Sequence, residues 1–464
     1  MTRLTESVTL ETLRRFDRPG PRYTSYPTAV EFHDGVGESE YQAMLGEADR
    51  SGPDTPLSLY IHIPFCEHKC HFCACHVVAT QHLEVAARYL EYLEREITMI
   101  ADLLPHRRML AQMHWGGGTP TYFSPSQIER LYRHILGHFT LQDGAEIAIE
   151  VDPRVTSREH LNTLGRLGFN RLSLGVQDFS PTVQEAIGRG QTFEETKELV
   201  LHAREIGFVE GINFDLIYGL PRQSLEPFNA SLDRVLELRP DRLAVYSFAF
   251  VPWIKSNQRR LRPEDFPKPA LKLELYLTAL DRFFEAGYEP IGMDHFSLPD
   301  DELAVAAREG RLERNFMGYT VKPVSTMIGC GVSSIGDLVR GYFQNCKKLS
   351  TYYEALDEAR LPIERGCILD DDDQVRRYVI MNLMCNFGVD KEAVSRRFAI
   401  DFDTYFHSSI LRLAEMEEAG FVRNETRAVK VTGTGKLFVR NAAMAFDRYL
   451  EEKTSERPVF SSTV

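Results

Sequence analysis

The 464-residue sequence has no window approaching eighteen uninterrupted apolar residues, which argues against a transmembrane helix. Its start, "MTRLTESVTLETLRRF", lacks the apolar stretch of a secretory signal. Positive charge is also short: Lys and Arg number 54 against 67 Asp and Glu, a net charge of −13. That argues against partners held by phosphate attraction, nucleic acid or an anionic membrane, while leaving room for a basic pocket that takes a small anion. There is no internal repeat, low-complexity tract or long Gly/Ser linker. A cytoplasmic, soluble protein, monomeric and free of nucleic-acid or membrane partners, is expected. In that compartment thiols stay reduced, so cysteine clusters are not read as disulfide staples.

Hydrophobic residues at 43% and charged residues at 26% are ordinary for a globular chain long enough for two or three domains. From about residue 56 to 250, strand-like runs ("LSLYIHI", "QMHWGG", "EIAIEVD", "RLSLGVQ", "NFDLIYG", "RLAVYSF") alternate with amphipathic segments. In one of these, Ile128, Leu131, Tyr132, Ile135, Leu136 and Phe139 recur at helical spacing. It is preceded by Ser124, Pro125 and Gln127 at N-cap, first-turn and capping-box positions. Helices are also expected in "EETKELVLHAREIGF" and "ALKLELYLTALDRFFEAGY". Strand–helix alternation predicts βαβ units on a parallel sheet, a curved partial barrel or a flat doubly wound sheet. Function then belongs at the carboxyl ends of the strands, here "CEHKC", "GGGTPT", "EVDP", "GVQD", "DLIYGLP" and "SFAF". Beyond Asp371 the pattern is mostly helical and ends in a winged-helix-like helix and hairpin. Residues 371–450 carry twelve basic and twelve acidic side chains, so a cap is expected there rather than a DNA-binding module.

Half of the eight cysteines, Cys66, Cys70, Cys73 and Cys75, fall in "IHIPFCEHKCHFCACHVV" after the first strand. Thiolates this close on one loop suit a soft metal centre. Zinc remains a reading because His68, His71 and His76 are nearby, although the spacing makes poor paired knuckles. An iron–sulfur cluster held by Cys66, Cys70 and Cys73 would leave one iron open, with Cys75 beside the site in another role. Cys330, Cys346, Cys367 and Cys385 show no metal spacing and read as ordinary thiols. Gly116, Gly117 and Gly118 let backbone approach a ligand, and no Gly-Lys-Ser/Thr follows to make a phosphate loop.

These features, with "GPRYTSYPTA", "HWGGGTPT", "EVDP", "RLSLGVQDF", "DLIYGLP", "GMDHF" and "RNFMGYT", resemble the radical S-adenosylmethionine (SAM) superfamily. More narrowly, they resemble the oxygen-independent coproporphyrinogen III oxidase family. The resemblance implies an α/β fold, a partial (β/α)6-type radical SAM barrel with a mostly helical, winged-helix-like C-terminal domain. The division expected is an N-terminal extension or lid (1–50), barrel (51–300), barrel extension (301–370) and helical cap (371–464). It implies one 4Fe-4S cluster on Cys66, Cys70 and Cys73 and two molecules of S-adenosyl-L-methionine. Tyr60, Gly117, Glu150 and Ile335 would contact the first; Phe72, Gly118, Thr119, Gln177, Arg189, Asp215 and Ala249 match contacts to the second. Cys75, His62 and Tyr60 are the catalytic candidates.

The activity implied is oxidative decarboxylation of two propionates of coproporphyrinogen III to vinyl groups, using an unidentified low-potential electron donor. A haem-binding or haem-delivery protein without decarboxylase activity is the alternative. Arg22, Arg308 and Arg314 are candidate partners for substrate carboxylates; His62 and His295 could hydrogen-bond near the site or be core histidines. The sequence departs from the family pattern at Ala74 and His76, where Gly and Asn are usual, and at Phe250, where a histidine is common.

Overall fold

The computed structural model describes residues 10–208, 211–322, 324–450 and 460. The expected extension and cap therefore lie partly outside the described residues, at 1–9 and beyond 450. The chain forms two compact units that interleave along the sequence: residues 31–267 with 322–368, and residues 1–30 with 268–321 and 369–464.

The first unit is built on β1 (Leu57–Ile63), β2 (Met109–Gly117), β3 (Thr140–Val151), β4 (Arg171–Gln177), β5 (Ile212–Tyr218) and β6 (Arg242–Ser247). These strands lie side by side in chain order, every neighbouring pair parallel. Helices α1 (Leu83–Asp102), α2 (Pro125–His138), α3 (Arg158–Leu167), α4 (Phe193–Glu205) and α5 (Leu225–Leu238) supply the crossovers. Leu57, Leu59, Ile61 and Ile63 of β1 are fully buried, and Ser58 and His62 on the other face are buried too. A strand covered on both faces needs such an apolar, β-branched sequence. On the far side of β1, β7 (Met327–Cys330) pairs in parallel. It is followed by antiparallel β8 (Ile335–Asp337), β9 (Gly341–Asn345) and β10 (Ile363–Ile368). This antiparallel extension was not read from the sequence, because its strands are short and lack helical crossovers. The fold is the expected partial (β/α)6-type barrel, and its strand order does not close.

The capping box of α2 forms as expected: Gln127 N–H donates to Ser124 Oγ at 3.3 Å, and Ser124 N–H to Gln127 Oε1 at 2.9 Å. Ile128, Leu131, Tyr132, Ile135 and the C-cap residue Phe139 are buried, and only Leu136 of the expected stripe is exposed. The apolar stripe is thus narrower than the spacing suggested.

The second unit contains helices Pro269–Glu285, Glu302–Glu309, Asp371–Asn386, Lys391–Phe398 and His407–Glu418. A three-stranded antiparallel sheet joins Gly388–Asp390, Ala428–Val431 and Val422–Asn424, giving the winged-helix-like arrangement. Its core gathers Val379, Leu383, Phe406, Leu413, Phe438 and Phe446. Tyr23 is buried in this unit and donates to Asp447 Oδ2 at 2.8 Å. No helix among the described residues is long and apolar enough to cross a membrane.

Candidate active site

The loop after β1 and the carboxyl ends of β2, β3, β4 and β5 enclose a cavity of about 150 Å³. Cys66, Cys70, Cys73 and Cys75 line it, and all four are free thiols. Phe72, Gly117, Gly118 and Thr119 share the lining, as do Glu150, Gln177, Arg189 and Asp215. Ala249, Ile335, Tyr60 and His62 are not in the lining. Tyr60 and His62 stand directly behind it, whereas Ile335 is at the start of β8.

Four contacts shape the thiols. Burial pushes the Cys66 thiol up to about 11, partly offset by its 3.3 Å contact with Thr119 Oγ1. The hydrogen bond between Cys73 and Cys75 pulls Cys73 below the usual thiol range and raises Cys75. Cys70 receives Nη2 of Arg154 and Nη1 of Arg189, each at 3.7 Å. Among the described residues, no three His, Cys, Asp or Glu side chains converge to hold a single metal ion.

The cysteine loop is pinned by residues that sequence reasoning missed. Asn257 Nδ2 reaches the carbonyl oxygens of Cys70 at 3.0 Å, His71 at 3.1 Å and Cys73 at 2.9 Å. Gln258 Nε2 bridges the carbonyls of Phe72 at 3.0 Å and Ala249 at 3.1 Å. Ala249 is thereby tied to the loop through its backbone. No spacing or motif marks "SNQRR" for this task.

The glycine edge fits as closely. A Cβ on Gly118 would lie 2.7 Å from the Pro64 and Phe65 carbonyl oxygens, and Gly117, at φ +119°, would place one 2.6 Å from the His62 ring. Gly117 N–H donates to Glu150 Oε2 at 3.1 Å. Burial alone would raise the Glu150 carboxyl, but the His114 ring and this N–H hold it below its usual range. Tyr60 OH lies 3.0 Å from His62 Nδ1, and the Tyr60 ring stacks on His114. Burial lowers His62 to about 4, so it is neutral near neutral pH. Asp215 accepts from Asn213 Nδ2 at 3.0 Å and Ser173 Oγ at 3.3 Å. Gln177 adopts φ +66° at the end of β4.

The departures have structural counterparts. Phe250 packs with Phe266 at a 4.9 Å ring separation in a cluster that includes Phe72. His76 accepts His62 Nε2 through its carbonyl at 3.2 Å, and its own Nε2 is buried without a hydrogen-bond partner.

The three candidate substrate arginines belong to the second unit. Arg22 pairs with Asp294, which also receives His295 Nδ1 at 2.8 Å. Burial opposes ionisation of Asp294, but Arg22 and His295 together hold its carboxyl far below the usual range. Arg314 lies over the Tyr319 ring at 4.6 Å, with Nε and Nη1 buried and lacking hydrogen-bond partners. Arg308 is half-exposed and pairs with Glu289 at 2.5 Å.

Residues 60–235 match the Radical SAM superfamily, and residues 369–438 match the HemN C-terminal domain. The chain is 44% identical over 446 residues to the oxygen-independent coproporphyrinogen III oxidase of Helicobacter pylori (strain J99), covering 96% of this chain and 97% of that one. With the Escherichia coli K12 enzyme of the same name it shares 45% identity over 444 residues, covering 96% of each. The solved structure described as "Coproporphyrinogen III oxidase (HemN) from Escherichia coli is a Radical SAM enzyme" superposes with a TM-score of 0.89, covering 92% of this chain and 97% of that one. Likeness on this scale takes in the barrel, its cysteine loop and the helical C-terminal region together, and on that evidence the chain belongs to the oxygen-independent coproporphyrinogen III oxidase family of radical SAM enzymes.

Proposed function

We propose that this enzyme converts two propionates of coproporphyrinogen III to vinyl groups, giving protoporphyrinogen IX, with Cys66, Cys70 and Cys73 as the cysteine ligands of its iron–sulfur cluster. The observation that carries the proposal is the convergence of these thiols, the Gly117–Gly118 edge and Glu150 on one cavity. The residues suit the group: free thiols of Cys66, Cys70 and Cys73 line one cavity, and Gly117 and Gly118, where a side chain would strike His62 or the main chain at Pro64 and Phe65, hold the adjacent backbone close against the cysteine loop. The cluster, held by Cys66, Cys70 and Cys73, would together with S-adenosylmethionine supply the one-electron chemistry needed to remove a hydrogen atom from the propionate β-carbon.

The polypeptide binds and orients. Glu150, held ionised, can accept from a ribose hydroxyl or pair with the cationic end of S-adenosylmethionine, while Gly117 admits the ligand to the backbone. Tyr60 and His62 support this edge from behind, and Ile335 contributes from β8. A second S-adenosylmethionine would use Phe72, Gly118, Thr119, Gln177, Arg189, Asp215 and Ala249. Cys75, hydrogen-bonded to Cys73, remains a thiol beside the cluster and is assigned to turnover rather than ligation. Arg22 and Arg314 are assigned to the substrate's carboxylates. Arg314 is the stronger assignment because two of its buried nitrogens lack acceptors, which a carboxylate would supply. For each propionate, loss of carbon dioxide follows hydrogen removal and one further electron leaves to an external acceptor, balancing the oxidation. Electrons for cleavage come from a low-potential donor. The working form is taken as a monomer in the cytoplasm.

The test is anaerobic turnover. Reduced, cluster-loaded protein is incubated with S-adenosylmethionine and coproporphyrinogen III, and carbon dioxide and protoporphyrinogen IX are measured. Two carbon dioxide molecules per product are expected. Stable haem binding with no carbon dioxide release would overturn the enzyme reading in favour of a carrier.

A further inference from the structure

Two guanidinium groups meet one thiol in this site, and an acidic residue stands between them. Arg154 Nη2 and Arg189 Nη1 each lie 3.7 Å from Cys70 Sγ. Asp152 Oδ2 lies 2.6 Å from Arg154 Nη2 and 3.2 Å from Arg189 Nη1. Arg154 Nε adds a 3.0 Å bond to Asp152 Oδ1. Arg189 is tied further by Gln191 Oε1 at 2.8 Å and the Gly175 carbonyl at 2.6 Å. Its side chain is only 6% exposed, against 21% for Arg154 and 10% for Asp152. This is a charge cluster fixed against a sulfur, not a solvated surface ion pair.

We infer that Arg154 is a positioning residue that sets the reduction potential of the iron–sulfur cluster, by donating to Cys70 and leaving the Arg154–Asp152–Arg189 group with one net positive charge. The inference rests on the proposed ligation by Cys70. Hydrogen bonds to ligating sulfurs and nearby charge tune such potentials. The step affected is entry of one electron from an external reductant into the cluster, with no bond formed or broken in the protein. Added negative charge is stabilised by a neighbouring cation, more strongly in a low-dielectric site than in water. Arg189 and Asp152 alone would sum to zero, so the positive balance depends on Arg154. Asp152 restrains the effect: without it, both arginines would act on the sulfur at full charge.

That arithmetic predicts shifts of opposite sign from two neighbouring residues, which a merely structural role would not produce. Full-length wild type, Arg154→Gln, Arg154→Lys and Asp152→Asn are loaded with iron and sulfide under argon. They are titrated with dithionite without substrate, and the reduced cluster is followed by electron paramagnetic resonance. At the wild-type midpoint, Arg154→Gln is expected to lower the reduced-to-oxidised ratio about tenfold, ~59 mV for a one-electron couple. Asp152→Asn should raise the ratio, and Arg154→Lys should fall between Arg154→Gln and wild type. Iron content shows that each variant carries a cluster. Normal loading with unchanged potentials, or with Arg154→Gln and Asp152→Asn moving in the same direction, overturns this inference alone. A wild-type chain that takes up no iron overturns the cluster assignment as well.

Discussion

Gly117 and Glu150 are joined by a hydrogen bond of 3.1 Å, from the N–H of one to Oε2 of the other. The bond makes the glycine edge of β2 and the acidic end of β3 a single structure. Gly116 lies on the same contact, since a Cβ there would come within 2.8 Å of Glu150 Oε1.

Gly116→Ala should therefore displace the carboxylate, and Glu150→Gln should remove its charge with little change of shape. Each is expected to weaken S-adenosylmethionine binding at least tenfold, since hydrogen bonds to charged groups contribute about 1.5–3 kcal/mol. Equilibrium dialysis with cluster-loaded protein measures the loss. Unchanged affinity in Glu150→Gln would remove Glu150 from the binding set.

The cysteines should separate by iron content. Cys66→Ser, Cys70→Ser and Cys73→Ser are each expected to lose the cluster. Cys75→Ser should keep it and lose turnover, since Cys75 lines the same cavity but is assigned outside the ligand set. Iron and sulfide analysis beside an activity assay distinguishes the two classes, and equal iron loss in Cys75→Ser would end the three-ligand assignment.

Asn257 makes a separate case, since one amide nitrogen holds three carbonyls of the cysteine loop. Asn257→Leu removes the two N–H donors shared among those carbonyls, a net contribution of about 1 kcal/mol per donor, without touching a thiol. Iron should leave the variant several-fold faster on exposure to a chelator, with the circular dichroism spectrum unchanged. Release at the wild-type rate would show that the loop is held elsewhere.

The pH dependence of stability should carry a signature from Glu96. Its carboxyl accepts from Tyr352 OH at 2.6 Å, Gly331 N–H at 2.7 Å and Asn345 Nδ2 at 2.6 Å. Burial nevertheless outweighs these donors and raises it from 4.5 to about 7. Between those values the folded state binds more protons than the unfolded state, so stability falls as pH rises across the window, by about 3 kcal/mol at most. Glu96→Gln should flatten that slope in urea unfolding at pH 5, 6 and 7. An unaltered slope would mean that other groups set it.

The main barrel elements were legible because each announces itself locally. β1 is an apolar, β-branched run covered on both faces, and α2 carries its start signal in Ser124, Pro125 and Gln127. The cysteine spacing and the glycine edge pointed to the cavity. What stayed hidden depends on distant pairings. Arg189 and Cys70 are 119 positions apart, and Asn257 reaches Cys73 across 184. Such partners follow from strand order, and no periodicity encodes them. The short strands β8, β9 and β10 escaped for a related reason: three to six residues give too little alternation to distinguish a strand from a loop.

Gly118 has a genetic consequence. The atoms that a methyl group would strike there belong to the main chain at Pro64 and Phe65, not to side chains that mutation could shrink. Damage at this position should therefore resist second-site repair: a selection for suppressors of Gly118→Ala would return mostly restored glycine, whereas damage at a position bounded by side chains would yield compensating changes in its neighbours.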